Sequence, residues 1–240
     1  MRARYLAFDI ETAKILPETV TDLLAHRPLG ICCAAAVAGD RPEPTIWHGR
    51  TADGSIAPAL SRVEAQRVVR DLEAFVAQGY TLVTWNGLAF DLDVLAEESG
   101  LVPECVRLAA GHVDMMFHLV CALGHRLSLD AAARGMGLEG KMAGITGHQA
   151  PILWAEGRHE AAIAYNVRDA RTTVELAAAA EKARALRWIS RKGRPAALPL
   201  PEGWLDVTRA RLLPQPDTSW MADPPRREAF FRWFPPGWPG

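Results

Sequence analysis

The sequence predicts an α/β layered domain. Apolar runs of strand length come first, helix-length segments then alternate with them, and the series closes on a long alanine-rich helical run. A chain of 240 residues is long enough for one full domain with extensions or for two small ones.

The elements follow in order. "RYLAFDIET" reads as a first strand whose C-terminal end falls at Asp9 to Glu11. "GICCAAAVAG" and "PTIWHG" read as two further strands joined by the turn "GDRPEP", a hairpin continuing the sheet. "SRVEAQRVVRDLEAFVAQG" carries apolar residues at Val63, Val68, Val69, Leu72, Phe75 and Val76, with Ser61 as N-cap and Gly79 as a stop. "YTLVTWNG" is a strand ending in a polar turn, and "LAFDLDVLAEESG" a helix after it. "MMFHLVCALG" and "LSLDAAARGMG" are two helical pieces, and "HEAAIAYNVRDARTTVELAAAAEKARAL" is one long helix.

Beyond about residue 190 the composition changes. Residues 191–240 hold ten of the 17 prolines and four of the 8 tryptophans: Trp204, Trp220, Trp233 and Trp238. A disordered linker is poor in aromatics. The expected organisation is therefore a domain over 1–190 and an irregular, ordered extension over 191–240, laid across it and ending in a short helix "PRREAFFRWF".

Composition excludes little else. The net charge of −1 says nothing about a polyanionic partner, so local charge must decide that. Cys32, Cys33, Cys105 and Cys121 show no CxxC spacing and read as buried thiols in a reducing compartment. No basic stretch with an apolar core precedes the first strand, and no run approaches ~20 apolar residues. A soluble, cytoplasmic protein is expected.

Three places put acids where a core element should be apolar. Asp9 and Glu11 stand two apart at a strand end, so their side chains share a face. Like charges side by side repel unless a cation holds them. Asp91 follows the turn at Asn86 and Gly87, in the first turns of a helix. Tyr165 and Asp169 lie one helical turn apart on the last long helix. Mg²⁺ and Mn²⁺ take oxygen ligands, typically a few carboxylates with water and substrate phosphate. Four carboxylates from three segments suit a pair of such ions about 3.5–4 Å apart, an arrangement that cleaves phosphodiesters. A phenol one turn from such an aspartate can orient the attacking water.

"FDIE" at 8–11, "NGLAFD" at 86–91 and "YNVRD" at 165–169 resemble, in order and spacing, the three motifs of the DEDD (DnaQ-like) 3′→5′ exonucleases. Tyr165 stands four before Asp169, and Ala164 occupies the place of the histidine in the other subclass. The resemblance is therefore to the tyrosine subclass, which includes family B polymerase proofreading domains and RNase D. It spans roughly residues 4–186 and implies an RNase H-like fold, a mixed sheet whose first three strands are antiparallel. It further implies two Mg²⁺ or Mn²⁺ ions held by Asp9, Glu11, Asp91 and Asp169, with Asp91 acting through water. Tyr165 would position the nucleophile.

Plain readings stand beside these. Asp9 and Glu11 could face solvent at a strand end, and Asp91 could complement a helix dipole, as Asp93 is expected to do. Asp114 lies where relatives often carry another acid, and is not expected to be a ligand. His112, His118 and His125 lack zinc spacing and read as surface or hydrogen-bonded histidines. Thr12 and Asn86 are candidate substrate contacts. "EKARALRWISRKGR" sets Lys182, Arg184, Arg187, Arg191, Lys192 and Arg194 against one acid, which suits either a helix end or phosphate contacts leading to the site. Of these, Arg187, Arg191 and Lys192 are taken as substrate-binding. The tail tryptophans could stack single-stranded bases, though packing on the domain is the expectation.

The expected function is release of nucleoside monophosphates from a single-stranded 3′ end, DNA before RNA, with a protein partner needed for processivity. RNA trimming of the RNase D kind and a non-catalytic nucleic-acid-binding subunit are the alternatives.

Overall fold

The computed structural model describes residues 4–140, 147–190 and 192–238. Its centre is a mixed five-stranded sheet. β1 (Arg4–Thr12), β2 (Ile31–Ala38) and β3 (Thr45–His48) form an antiparallel meander, with Leu6 opposite Ala38 and Cys33 opposite His48. α1 (Arg62–Ala77) then returns the chain to β4 (Tyr80–Thr84), which pairs parallel with β1. α2 (Asp91–Ser99) and α3 (Val102–Gly111) lead to the short β5 (Val113–Asp114), parallel to β4, and the sheet order is β3-β2-β1-β4-β5. α4 (Met115–Leu123), α5 (Leu129–Gly135), α6 (Ala150–Ala155) and α7 (His159–Ala183) follow.

The strand period of two decides what each face of the sheet meets. On β1, Leu6, Phe8 and Ile10 pack with Val68 and Leu72 of α1 and with Leu92 and Leu95 of α2. Tyr5 and Ala7 point the other way, into a cluster with Ala170, Val174 and Ala177 of α7. β2 is buried along its whole length because both faces are covered, which is why "ICCAAAVA" shows no alternation. Its alanines, set against those of α7, let helix and sheet approach closely.

α1 begins as the sequence predicts. Ser61 and Glu64 form a reciprocal capping box, an arrangement that contributes about 1 kcal/mol. Val63 and Val76, assigned to its apolar face, are exposed instead; the buried stripe is Ala65, Val68, Val69 and Leu72. Asp93 is not a solvated helix-end acid. It is buried, and Arg27 pairs with both Asp93 and Glu97.

The predicted long helix runs past its true end. Arg184 takes a left-handed conformation (φ 53°) and caps α7, and the chain enters a hairpin of β6 (Ala185–Ile189) and β7 (Pro195–Pro199). Leu186 and Trp188 turn inward while Arg187 and Ile189 face out. The hairpin spans the compositional change at residue 190. Gly135 is required beneath it, since a Cβ there would lie 2.1 Å from the Arg187 carbonyl oxygen.

The rest of the extension carries α8 (Val207–Ala210) and a 3₁₀ turn over Arg227–Phe231, where a short helix is predicted. Trp204 donates its indole N–H to the Ala177 carbonyl, and the Leu205 N–H donates to His118 Nδ1. Arg227 is buried and donates to the carbonyls of Cys121, Arg211, Leu213 and Pro214. Trp220, by contrast, is 68% exposed. All four cysteines are buried free thiols, and no helix among the described residues is long and apolar enough to cross a membrane.

Candidate active site

The site is built where the α7-facing row of β1 runs out of apolar residues. Tyr5 and Ala7 pack on α7, so Asp9 and Glu11, in the same alternation, point to that side too. Glu11 is buried and Asp9 half-buried. The register with β2 shifts between Glu11 and Thr12, and such an irregularity re-aims the strand end. Across from this row α7 presents Tyr165, Asn166 and Asp169, all buried. Asn166 donates its Nδ2 to Asp9 Oδ2 at 2.7 Å, fixing strand to helix.

Asp91 arrives from the other side of the sheet. It is the first residue of α2, and its Oδ1 accepts the Ile10 N–H at 3.0 Å. The carboxylate is thereby anchored between Asp9 and Glu11. Burial raises its pKa above the ordinary carboxylate range, and the charges of Asp114 and Asp169 raise it further. Asp9 and Glu11 also contribute to the raised pKa of the Cys33 thiol, though its neighbour Cys32 and burial do more.

The turn before Asp91 is held at each polar group. Asn86 is left-handed (φ 75°), a conformation asparagine tolerates. Its N–H donates to Asp114 Oδ1 (3.1 Å), and the Leu88 N–H to Asp114 Oδ2 (2.8 Å). Asp114 also caps α4 through the Phe117 N–H (2.9 Å). Gly87 donates to Thr84 Oγ1, and a Cβ at Gly87 would lie 2.6 Å from that side chain, so no larger residue fits. Thr84 Oγ1 in turn meets His112 Nε2 at 3.0 Å.

Asp9, Glu11, Asp91, Tyr165 and Asp169 are thus gathered at one end of β1, with Thr12 and Asn86 on the segments that carry them. Arg187 and Lys192 are elsewhere: both are exposed on the hairpin, and neither forms an ion pair with these acids among the described residues. The hairpin's root at Arg184 is about 22 Å along α7 from Asp169 at 1.5 Å per residue. Arg191 lies outside the described residues. Asn166 is the site-building residue that motif reading leaves out, while Asp114, expected not to be a ligand, holds the Asn86 turn. The only local signal for Asn166 is its place beside Tyr165 on α7.

For a cation, the donor chemistry fits. The gathered groups are carboxylate oxygens suited to hard divalent ions, and the buried Asn166 Oδ1 has no hydrogen-bond partner among the described residues. Among the described residues, no three acidic, histidine or cysteine side chains are grouped closely enough to hold a metal ion as they stand.

The sequence pattern of the RNase H superfamily matches residues 55–181, from the approach to α1 to nearly the end of α7. This chain belongs to the RNase H superfamily. The mixed sheet described above is the fold of this RNase H-like domain, and membership supports a nucleic-acid hydrolase. The matched residues include Asp91, Tyr165 and Asp169, while Asp9 and Glu11 precede them. The structure of the family B DNA polymerase from the hyperthermophilic archaeon Pyrobaculum calidifontis is similar in fold, with a TM-score of 0.53 at 19% identity. The superposition covers 76% of this chain and 24% of the polymerase, so the chain spans about a quarter of that protein's length. No curated protein matches the sequence.

Proposed function

We propose that this RNase H-like protein is a metal-dependent 3′→5′ exonuclease of the tyrosine DEDD subclass, acting on single-stranded 3′ ends, with DNA favoured over RNA. The observation that carries the proposal is the meeting of the Asp9–Glu11 row of β1 with the Tyr165–Asp169 face of α7, tied by the Asn166 bond to Asp9. Carboxylates from a strand end and a helix face, set beside a phenol, offer the oxygen donors that hard divalent cations take.

Asp9, Glu11, Asp91 and Asp169 would hold two Mg²⁺ or Mn²⁺ ions. When bound, the ions supply activation of water and charge stabilisation at the leaving oxygen. The protein's own part is placement. Asn166 fixes the Asp9 carboxylate, and the Ile10 N–H fixes Asp91. The Tyr165 phenol orients the attacking water. Attack is in line: the water oxygen bonds to phosphorus as the 3′ oxygen of the penultimate nucleotide leaves and is protonated. The products are a nucleoside monophosphate and a strand one residue shorter.

Incubation with 5′-labelled single-stranded DNA and RNA of one sequence, with Mg²⁺, Mn²⁺ or EDTA, tests this beside Asp9→Ala. A metal-dependent ladder shortening from the 3′ end, absent in the variant, is expected, with DNA cut faster. Faster RNA cutting would assign RNA trimming instead. Intact substrate from folded protein under every condition would leave a nucleic-acid-binding subunit as the reading.

A further inference from the structure

The C-terminal extension reaches into the turn that carries Asp91. Trp233 donates its indole N–H to the Leu88 carbonyl at 2.7 Å. Leu88 lies three residues before Asp91, and its own N–H is gripped from the other side by Asp114. The turn is therefore held by a core carboxylate on one side and by an indole from a segment more than a hundred residues away on the other.

The extension does not depend on this bond for its seat. Arg227 clasps four carbonyls, one of them Cys121 at the end of α4. Phe230 and Phe231 lie against Phe117, with centroids 5.1 and 5.3 Å away. Phe234 packs edge-on against Trp233 at 4.6 Å, and Phe231 stacks on Trp238. The Trp233 ring is thus oriented by its neighbours before it meets Leu88. If apolar area alone were needed, a phenylalanine would serve there; the N–H adds a directional contact to the backbone of the turn.

We propose that Trp233 is a positioning residue of the nuclease site. Its N–H fixes the Leu88–Phe90 turn, and through it the stance of Asp91 against Ile10 and the end of β1. The catalytic consequence rests on the proposed metal-dependent nuclease; the clamp on the turn does not.

The test compares Trp233→Phe with Phe231→Leu in the full chain. The first removes the N–H together with part of the ring, while the second loosens the same aromatic cluster and leaves the bond to Leu88 in place, so packing loss common to both is separated from loss of the bond. Amide exchange over residues 88–92, Mn²⁺ binding by calorimetry without substrate, and kcat with KM on a single-stranded oligonucleotide are measured. Trp233→Phe is expected to speed exchange at 88–92 and weaken Mn²⁺ binding about fivefold each, the worth of one hydrogen bond. It should lower kcat with KM unchanged. Phe231→Leu is expected to lower the melting temperature while leaving exchange at 88–92 and Mn²⁺ affinity at the parent values. Parent-like exchange in Trp233→Phe would overturn the clamp. Equal loss of Mn²⁺ affinity in both variants at matched stability would overturn the positioning role. A parent protein that neither binds Mn²⁺ nor cuts would overturn the nuclease reading and the catalytic half of this proposal, and the exchange data would still decide the clamp.

Discussion

The Asn166 side chain donates to Asp9 across 2.7 Å, joining the residue after Tyr165 to the first acid of β1. Asn166 is almost fully buried, and its Oδ1 has no hydrogen-bond partner among the described residues. A buried amide used at one end only is costly unless its role is orientation. The bond makes the two motifs mechanically one unit.

Replacing Asn166 by alanine should therefore cost activity more than fold. A loss of roughly one hydrogen bond to a charged group, about 2 kcal/mol, corresponds to a kcat lower by about thirtyfold. Asn166→Asp should be worse, because a second carboxylate would stand against Asp9. Single-turnover cleavage rates alongside melting curves check both. A parent rate from Asn166→Ala would show that Asp9 holds its place without the amide.

Asp114 is a candidate for the largest single loss of stability near the site. Alanine there strips the Asn86, Leu88 and Phe117 N–H groups of their acceptor. Three donors left unpaired, two of them buried, should destabilise by about 3 kcal/mol, read as a lower urea midpoint. Asp114→Asn keeps an acceptor oxygen and should lose less. Equal midpoints for parent and alanine variants would contradict the assignment.

His118 predicts how stability follows pH. It is buried beside Trp204 with Arg209 nearby, and its Nδ1 accepts the Leu205 N–H, so the folded state holds it neutral. Burial, and then the Arg209 charge, lower its pKa from 6.5 to about 4. The unfolded chain then binds the proton more readily than the folded one. This contribution is fully present above about pH 6.5 and is lost as the pH falls through about 4, by at most about 3 kcal/mol. His112, also lowered by burial, acts with the same sign. Urea midpoints at pH 7 and pH 5 should separate for the parent and separate less for His118→Asn, whose amide oxygen can still accept from Leu205 and in which His112 keeps its own share. An unchanged separation in the variant would remove His118 as the cause.

The basic run at 181–194 marks where local pattern misleads. Its alanines and arginines favour helix, and a five-residue strand gives too short an alternation to outweigh them. Only the packing of Leu186 and Trp188 beneath the hairpin, together with Gly135 on α5, selects β6. Asp93 and Arg27 show the same limit. Sixty-six residues apart in sequence, they meet as a buried pair that no spacing rule anticipates.

Legible in the sequence are the order of β1 to β4 with α1, α2 and the long helix α7, the cap at Ser61 with the stop at Gly79, and the acids on strand and helix. Those properties are local: strand alternation and helical periodicity place Asp9 with Glu11 and Tyr165 with Asp169 before any tertiary contact forms. Which distant groups hold those acids is set by packing alone. Asn166 reaching Asp9, Asp114 gripping the Asn86 turn and Trp233 closing on Leu88 are long-range hydrogen bonds. Their donors and acceptors are common residue types, and direction and distance come only from the packed sheet and helices that bring them together.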